Sequence, residues 1–480
     1  MKKYLYSDTD FLNRHMETLF SHDNRLRPAH NLHDYQLTYP PAIQIENPRF
    51  SYSPDDKEYA EYAVGDFTNA ALYFHFGFCQ YKCRYCHHYE IRTNAAESLM
   101  QRYVKAMVLE MRAFRQRAPD LNSLIYFVGG GTPTALPAPL LRYFLEQMHD
   151  IFGAPPSQLS TVEVKPVTAT EEKLKLFVDA GFSRINLGVQ TLDPELYRLH
   201  HHQENLSIAL AAIDRARNCG FKYINIDILT GLEKQTPASW QTTLDTLKTL
   251  ASSGAVDSVF IYPYHDDPRS RTFNKPQSLP SALETYQSEA KAREMFNRIG
   301  WTELGTRFFR APRHRRRELY EWLRTRANPA YGELLYHGFG NSCFSVGDKA
   351  TYLNERDIFS YCDKLEQGKS PISHWTVLNN HQRATRDLTF DILYSPIVRV
   401  RSIRRKYGAE SMTHHTAELD RWTNLGLGRW HRLFGIWRLT PLGKLVHQQM
   451  MPVLYLPEEK KEFLTAMEQR LVAGKNYRGY

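Results

Sequence analysis

At about 150 residues per domain, a chain of 480 residues holds two to four domains, which excludes a minimal binding module. Hydrophobic residues make up 42% and charged residues 24%, and no apolar run approaches the roughly 18 residues that a membrane span needs, so a transmembrane protein is excluded. With 61 Lys+Arg against 52 Asp+Glu the formal net charge is +9, which favours anionic partners without naming one. The first residues carry Lys2 and Lys3, but Asp8, Asp10, Asn13 and Arg14 interrupt any apolar stretch behind them, so a cytoplasmic location is expected.

Residues 1–70 are rich in Tyr, Pro, His and Asn, and the prolines of 39–50 oppose a long helix; the segment reads as an arm packed on the domain beside it. From about 71 to 264 short apolar runs alternate with longer amphipathic stretches, the pattern of parallel strands joined by crossover helices. The expected strands are 71–76, 123–128, 160–165, 184–189, 223–229 and 257–264. Six such units predict an α/β fold, a closed or partly open (β/α)6 barrel over 71–300, with chemistry at the carboxyl ends of its strands. Beyond the barrel, helical patterns at 282–300 and 385–395 predict a mainly helical C-terminal domain over 301–480. Its end alternates helix, short ribbon and helix, which is winged-helix-like.

Six cysteines are too few for a disulfide scaffold, and Cys79, Cys83 and Cys86 crowd into eight positions directly after the first expected strand. Three thiolates suit a four-iron cluster with one iron left open to a chelating molecule. A zinc site is the alternative, with His87 or His88 as fourth ligand. Cys219, Cys343 and Cys362 lie far along the chain and are expected to be dispensable for the metal. Gly129, Gly130 and Gly131 follow the second strand, where they make a tight turn or let backbone approach a ligand. Glu163, Gln190 and Asp227 sit at or near strand ends, polar residues in apolar runs that need partners.

The Cys-x3-Cys-x2-Cys spacing is the signature of radical S-adenosylmethionine enzymes, and the segment YFHFGFCQYKCRYC resembles the first strand and cluster loop of the oxygen-independent coproporphyrinogen III oxidase family. FVGGGTPT (127–134), EVKP (163–166), GFSRINLGVQTLD (181–193), NIDILTGLEKQT (225–236), YHGFGNSCFS (336–345) and LTPLGKLV (439–446) follow in that family's order. The resemblance implies a [4Fe-4S] cluster on Cys79, Cys83 and Cys86, and one or two S-adenosylmethionine molecules. Reductive cleavage would then give a 5′-deoxyadenosyl radical that takes a substrate hydrogen. It places Gly130, Gly131 and Thr132 against the methionine end of the cofactor, with Thr134 as a further hydroxyl. Glu163 would hold the amino group, Asp227 the ribose, and Gln190 would help fix the molecule, while Tyr73 and Tyr85 line the site. The implied partners are an anionic small-molecule substrate and an electron donor such as flavodoxin or ferredoxin.

Two positions depart from the family at the expected mouth. His88 replaces a fourth, non-ligating cysteine, and His202 falls where an arginine often meets the cofactor carboxylate. With Tyr73 they are the expected catalytic residues. Glu233 stands where the family has proline. Three activities remain open on the sequence: radical oxidation of a porphyrinogen-like substrate, a methyl transfer or cyclopropanation with two cofactor molecules, and haem delivery with His337 as a candidate axial ligand. The basic runs 307–317 and 399–406 either meet substrate propionates or are solvated faces, and a nucleic-acid role for the winged helix is the less favoured account.

Overall fold

The computed structural model describes residues 9–23, 54–86, 91–92, 97–156, 158, 160–264, 278–312, 334–395, 397–456 and 461. The first strands are β1 (Asn69–Phe76), β2 (Phe78–Cys79), β3 (Ile91–Arg92), β4 (Asn122–Gly130), β5 (Thr161–Val164), β6 (Arg184–Gln190), β7 (Tyr223–Thr230) and β8 (Ser258–Pro263). The six strands expected from the sequence are β1 and β4 to β8, and they lie side by side, parallel and in chain order. Parallel neighbours require crossovers, and helices Glu97–Arg117, Ala138–Phe152, Glu171–Asp179, Leu206–Cys219 and Pro237–Ser253 supply them. Local signals start these helices where the sequence changes period. Thr170 caps Glu171–Asp179, and Thr236 forms a capping box with Ser239 before Pro237. The helices bury one face of the sheet in a core that includes Phe74, Phe76, Met107, Leu141, Ile185 and Ile226. The other, concave face carries a smaller core of Ala71, Ile125, Phe127, Tyr223, Phe260, Leu304, Phe308 and Leu334. That second core floors the site.

The barrel does not close. Further strands are β9 (Thr302–Leu304), β10 (Phe308–Arg310), β11 (Leu334–Phe339), β12 (Phe344–Val346), β13 (Ala350–Asn354) and β14 (Ile372–Val377). β1 pairs with β11 and β8 with β10, so the two ends of the barrel are occupied by other strands of one twelve-stranded sheet. The sheet therefore crosses the boundary drawn at residue 300. The mainly helical region begins after β14, with helices Asn380–Tyr394, Val400–Tyr407, Thr413–Asn424 and Pro441–Met450. It includes the expected wing, β16 (Gly428–His431) and β17 (Ile436–Leu439), joined by β15 (Ile397–Val398) in a three-stranded sheet. Gly428 is required there because a Cβ would overlap the Trp437 ring.

The described part of the N-terminal arm divides between two cores. Tyr59, Ala63 and Phe67 pack on the barrel, whereas helix Thr9–His22 puts Met16, Leu19 and Phe20 against the C-terminal core around Trp422 and Trp437. Asp23 pairs there with Arg421 at 3.2 Å. Among the described residues no helix is long and apolar enough to cross a membrane.

The loop after β11 is held beside β1 by one buried carboxylate. Glu110, on helix Glu97–Arg117, accepts from Gly340 N–H (2.9 Å), Asn354 Nδ2 (2.7 Å) and Tyr361 Oη (2.5 Å). Burial outweighs these donors and raises its pKa to about 7. A carboxyl whose folded pKa lies above its unfolded value is favoured while protonated, so its stabilising contribution is full below about pH 4.5 and is lost as pH rises towards 7. Glu110→Gln keeps the shape and removes the titration. The melting temperature of the wild type should fall between pH 5 and 8 relative to that of Glu110→Gln, by the equivalent of roughly 3 kcal/mol across the window. Parallel melting curves across that range would reject the assignment.

Candidate active site

The cysteine loop leaves β1 where its inward-facing residues end. Tyr73 and His75 share one face of the strand, and Tyr73 Oη lies 3.3 Å from His75 Nδ1 while its ring stacks on Tyr336. Burial lowers the His75 pKa to about 4, so the imidazole is neutral near pH 7. Cys79 and Cys83 are buried and Cys86 is half-buried, and none of the three is in a disulfide. Cys86 N–H closes a turn onto the Cys83 carbonyl at 3.2 Å. Cys219, Cys343 and Cys362 are elsewhere: the first bonds towards the Glu171 carbonyl, the second donates to the Phe339 carbonyl at 3.0 Å, and the third lies in the outer core.

The three glycines after β4 are each required by a different neighbour. A Cβ on Gly129 would overlap the Glu163 carboxylate, and one on Gly130 (φ 106°) would lie 2.7 Å from the His75 ring. On Gly131 it would meet the Phe78 carbonyl at 2.8 Å and Cys79 Sγ at 3.1 Å. Gly131 N–H donates to the Phe76 carbonyl at 2.7 Å, and Gly130 N–H reaches Glu163 Oε2 at 3.4 Å. Thr132 is buried with its hydroxyl 3.3 Å from Cys79 Sγ, and Thr134 bonds Thr168 at 2.7 Å. The glycine run is thus the surface on which the cysteine loop and Glu163 meet.

Across the concave face, Glu163, Asn186, Asn225 and Ser258 stand in register on β5 to β8. Asp227, two residues on from Asn225, accepts from Asn186 Nδ2 (2.6 Å) and Asn225 Nδ2 (3.1 Å), and Ser258 Oγ donates to Asn225 Oδ1 (2.8 Å). Asp227 is therefore aimed by a ladder of buried amides that the sequence reading did not single out. The signal was present in the two-residue alternation of NIDIL. Gln190 ends β6 with φ 69°, at a bulge that turns its amide back over Gly188.

The histidines do not form a mouth in the expected way. His88 lies outside the described residues. His202 is exposed, with φ 53°, its ring 4.3 Å from the Tyr81 ring and Nε2 2.7 Å from the Lys82 carbonyl. A carbonyl only accepts, so Nε2 carries the proton and His202 braces the backbone of the cysteine loop. His200 and His201 are the buried members of the triplet, beneath Tyr85. Burial and the neighbouring thiols of Cys83 and Cys86 push the Tyr85 phenol well up. Glu233, noted as a departure, has its partner in the loop itself: Arg84 donates to Glu233 Oε2 from Nε (2.8 Å) and from a terminal nitrogen (2.6 Å). His337 is on the opposite face of the sheet. It pairs in register with Leu72, packs 4.2 Å from the Phe114 ring, and shares a hydrogen bond between Nδ1 and the Tyr352 hydroxyl at 2.8 Å, so the outer core occupies it and it cannot reach a haem in the mouth. Of the basic runs, Arg307 is buried against Glu289 at 2.8 Å, and 313–317 lie outside the described residues. Arg399 and Lys406 border Asp391 and Asp387, in the C-terminal region.

Residues 73–247 match the model of the radical SAM superfamily. The chain carries a radical SAM domain and is similar to oxygen-independent coproporphyrinogen III oxidases. An "Oxygen-independent coproporphyrinogen III oxidase" of Bradyrhizobium diazoefficiens is 27% identical over 390 residues, 78% of this chain and 83% of that one. Another, from Paracoccus denitrificans, is 28% identical over 248 residues, 50% of this chain, and the match spans only 53% of that relative's length. A "Heme chaperone HemW" of Bacillus subtilis is 28% identical over 233 residues, 47% of this chain and 58% of its own. The solved coproporphyrinogen III oxidase of Escherichia coli superposes with a TM-score of 0.75 at 20% identity, over 89% of this chain and 99% of that one, which gives the same fold.

The radical SAM domain implies a [4Fe-4S] cluster and S-adenosylmethionine, and the residues fit both. Among the described residues no three His, Cys, Asp or Glu side chains converge on one metal ion. A cubane cluster makes no such demand, since each thiolate meets a different iron. The side-chain-free strip at Gly129 to Gly131 lets Cys79 and the Glu163 carboxylate approach one another at the strand end, which sets an acceptor for an amino group beside the cysteine loop.

Proposed function

We propose that this radical SAM protein is an enzyme that abstracts hydrogen from an anionic, porphyrinogen-like substrate. The observation that carries the reading is the glycine strip: three residues with no side chain join Cys79, His75 and Glu163 at one strand end. When bound, the cluster and S-adenosylmethionine would supply one-electron reductive cleavage to a 5′-deoxyadenosyl radical. The chain's own part is to hold and exclude. Glu163 accepts from the cofactor's amino group, the backbone of Gly130 and Gly131 approaches its methionine end, and Gln190 and Asp227 fix the rest. Tyr73 borders the substrate space, and the apolar floor around Phe127, Phe260 and Phe308 keeps water from below. A protein reductant such as flavodoxin or ferredoxin would deliver the electron. None of the six cysteines is in a disulfide, which suits a reducing compartment such as the cytoplasm.

The names of the Bradyrhizobium and Paracoccus relatives support a porphyrinogen substrate, and the net charge of +9 suits one that carries carboxylates. The Bacillus relative's name favours a second reading, haem carriage without turnover. Anaerobic incubation of reconstituted protein with S-adenosylmethionine, a reductant and coproporphyrinogen III, followed by mass spectrometry, separates them. Deoxyadenosine with loss of carboxyl groups from the substrate is expected. S-adenosylhomocysteine as a product would indicate methyl transfer with a second cofactor molecule. No cofactor cleavage, with haem retained through gel filtration, would replace the enzyme by the carrier.

A further inference from the structure

Lys165 is half-buried, and its ammonium is out of reach of water without an anion beside it. It follows β5 directly in extended backbone (φ −88°, ψ 131°), so it shares the face of Glu163 two residues earlier. Its Nζ is inaccessible and has no hydrogen-bond partner, and it lies 3.2 Å from the centroid of the Tyr81 ring in the cysteine loop. A ring face satisfies part of an ammonium's charge but none of its N–H donors. Among the described residues no carboxylate pairs with it. Glu204 is an acid in the loop's surroundings, but it takes the Tyr81 hydroxyl on Oε1 and leaves Oε2 buried without a partner. Next to Lys165, His201 is fully buried and stacked on the Tyr197 ring, and burial together with the Lys165 charge lowers its pKa to about 3.

Buried charges are paired or hydrogen-bonded, because an isolated one costs several kcal/mol. The Lys165 ammonium lies against the Tyr81 ring of the cysteine loop, so the missing anion is assigned to a ligand that sits on that loop. S-adenosylmethionine ends in an amino group and a carboxylate on one carbon, and the strand end offers a carboxylate and an ammonium two residues apart. His202, where the resemblance led us to expect the carboxylate's partner, is exposed and spent on the Lys82 carbonyl.

We propose that Glu163 and Lys165 form a two-charge clamp for the amino-acid end of S-adenosylmethionine, with Lys165 taking the carboxylate in place of a residue after β6. This rests on the reading that the chain binds S-adenosylmethionine, and it adds a specificity-determining residue that the motif spacing does not supply.

The test compares S-adenosylmethionine with its decarboxylated analogue on anaerobically reconstituted protein, by equilibrium binding, with iron and sulfide counted in each sample. Loss of any contact between carboxylate and iron is common to all variants, so the ratio of the two affinities isolates the Lys165 contribution. In Lys165→Met the affinity for S-adenosylmethionine should fall about tenfold or more, while that for the analogue changes little, so the ratio shrinks by about the same factor. Lys165→Gln should do the same should methionine disturb the fold, and Lys165→Arg should recover part of the ratio. An unchanged ratio, or an equal fall for both ligands at unchanged iron content, overturns the clamp and leaves the cofactor reading standing. Wild-type protein with a full cluster that binds neither ligand overturns both.

Discussion

Alanine at any one of Cys79, Cys83 or Cys86 is expected to abolish the cluster, taking iron from about four per chain to a trace after anaerobic reconstitution. The effect should be all or none because the loop offers no substitute thiol. Cys219 is bonded towards the Glu171 carbonyl, Cys343 to the Phe339 carbonyl, and Cys362 is in the outer core. The fold should survive, since the loop is held by contacts that do not pass through the thiols. Arg84 N–H donates to the His200 carbonyl at 3.4 Å, its side chain pairs with Glu233, and His202 holds the Lys82 carbonyl. Iron and sulfide assays with circular dichroism decide it. Cys343→Ala and Cys362→Ala serve as controls and should keep a full complement of iron. A full cluster in Cys83→Ala, or stoichiometric zinc with no iron in the wild type, would sink the assignment.

The parallel strands were legible because each is buried on at least one face and bounded by polar turns, so β1 and β4 to β8 stand out as apolar runs at regular spacing. The strands that extend the sheet were not. β9 and β10 are three residues each, and β13 is buried at all five positions, so none offers the alternation by which a strand is recognised. The site divides in the same way. Cysteine spacing and a glycine run are local patterns, and in the fold Gly131 lies beside Cys79 and Gly129 beside Glu163. Lys165 reads as an ordinary polar residue in EVKP, because what distinguishes it is the absence of a partner, which only packing reveals. His202 misled for the converse reason. Its position along the chain matches a cofactor contact, but a left-handed backbone turns the ring onto the outside of the cysteine loop.

Arg84 and Glu233 are separated by 149 positions, and no pattern in the sequence shows that they meet. Glu233 is 3% exposed in the loop after β7, and its carbonyl is 3.1 Å from His200 Nε2, so it ties that loop to the helix Pro194–His200 and to the cysteine loop at once. Removing one member of a buried pair leaves the other charge without compensation, which costs about 3 kcal/mol at the lower end of the usual range. The lower end applies because the Arg84 side chain is 28% exposed and can turn to water. At 1.4 kcal/mol per factor of ten, Glu233→Ala should raise the population of the opened loop by roughly a hundredfold. Iron should then pass to an added chelator one to two orders of magnitude faster than from the wild type, with the starting iron content unchanged. In Arg84→Ala the loss should be larger, because the buried Glu233 carboxylate is left without its partner, and the double variant should be no worse than Arg84→Ala, because both charges are then removed together. Additive losses would show two independent roles. Chelation at the wild-type rate in Glu233→Ala, despite a lower melting temperature, would mean that the pair stabilises the barrel without holding the cysteine loop.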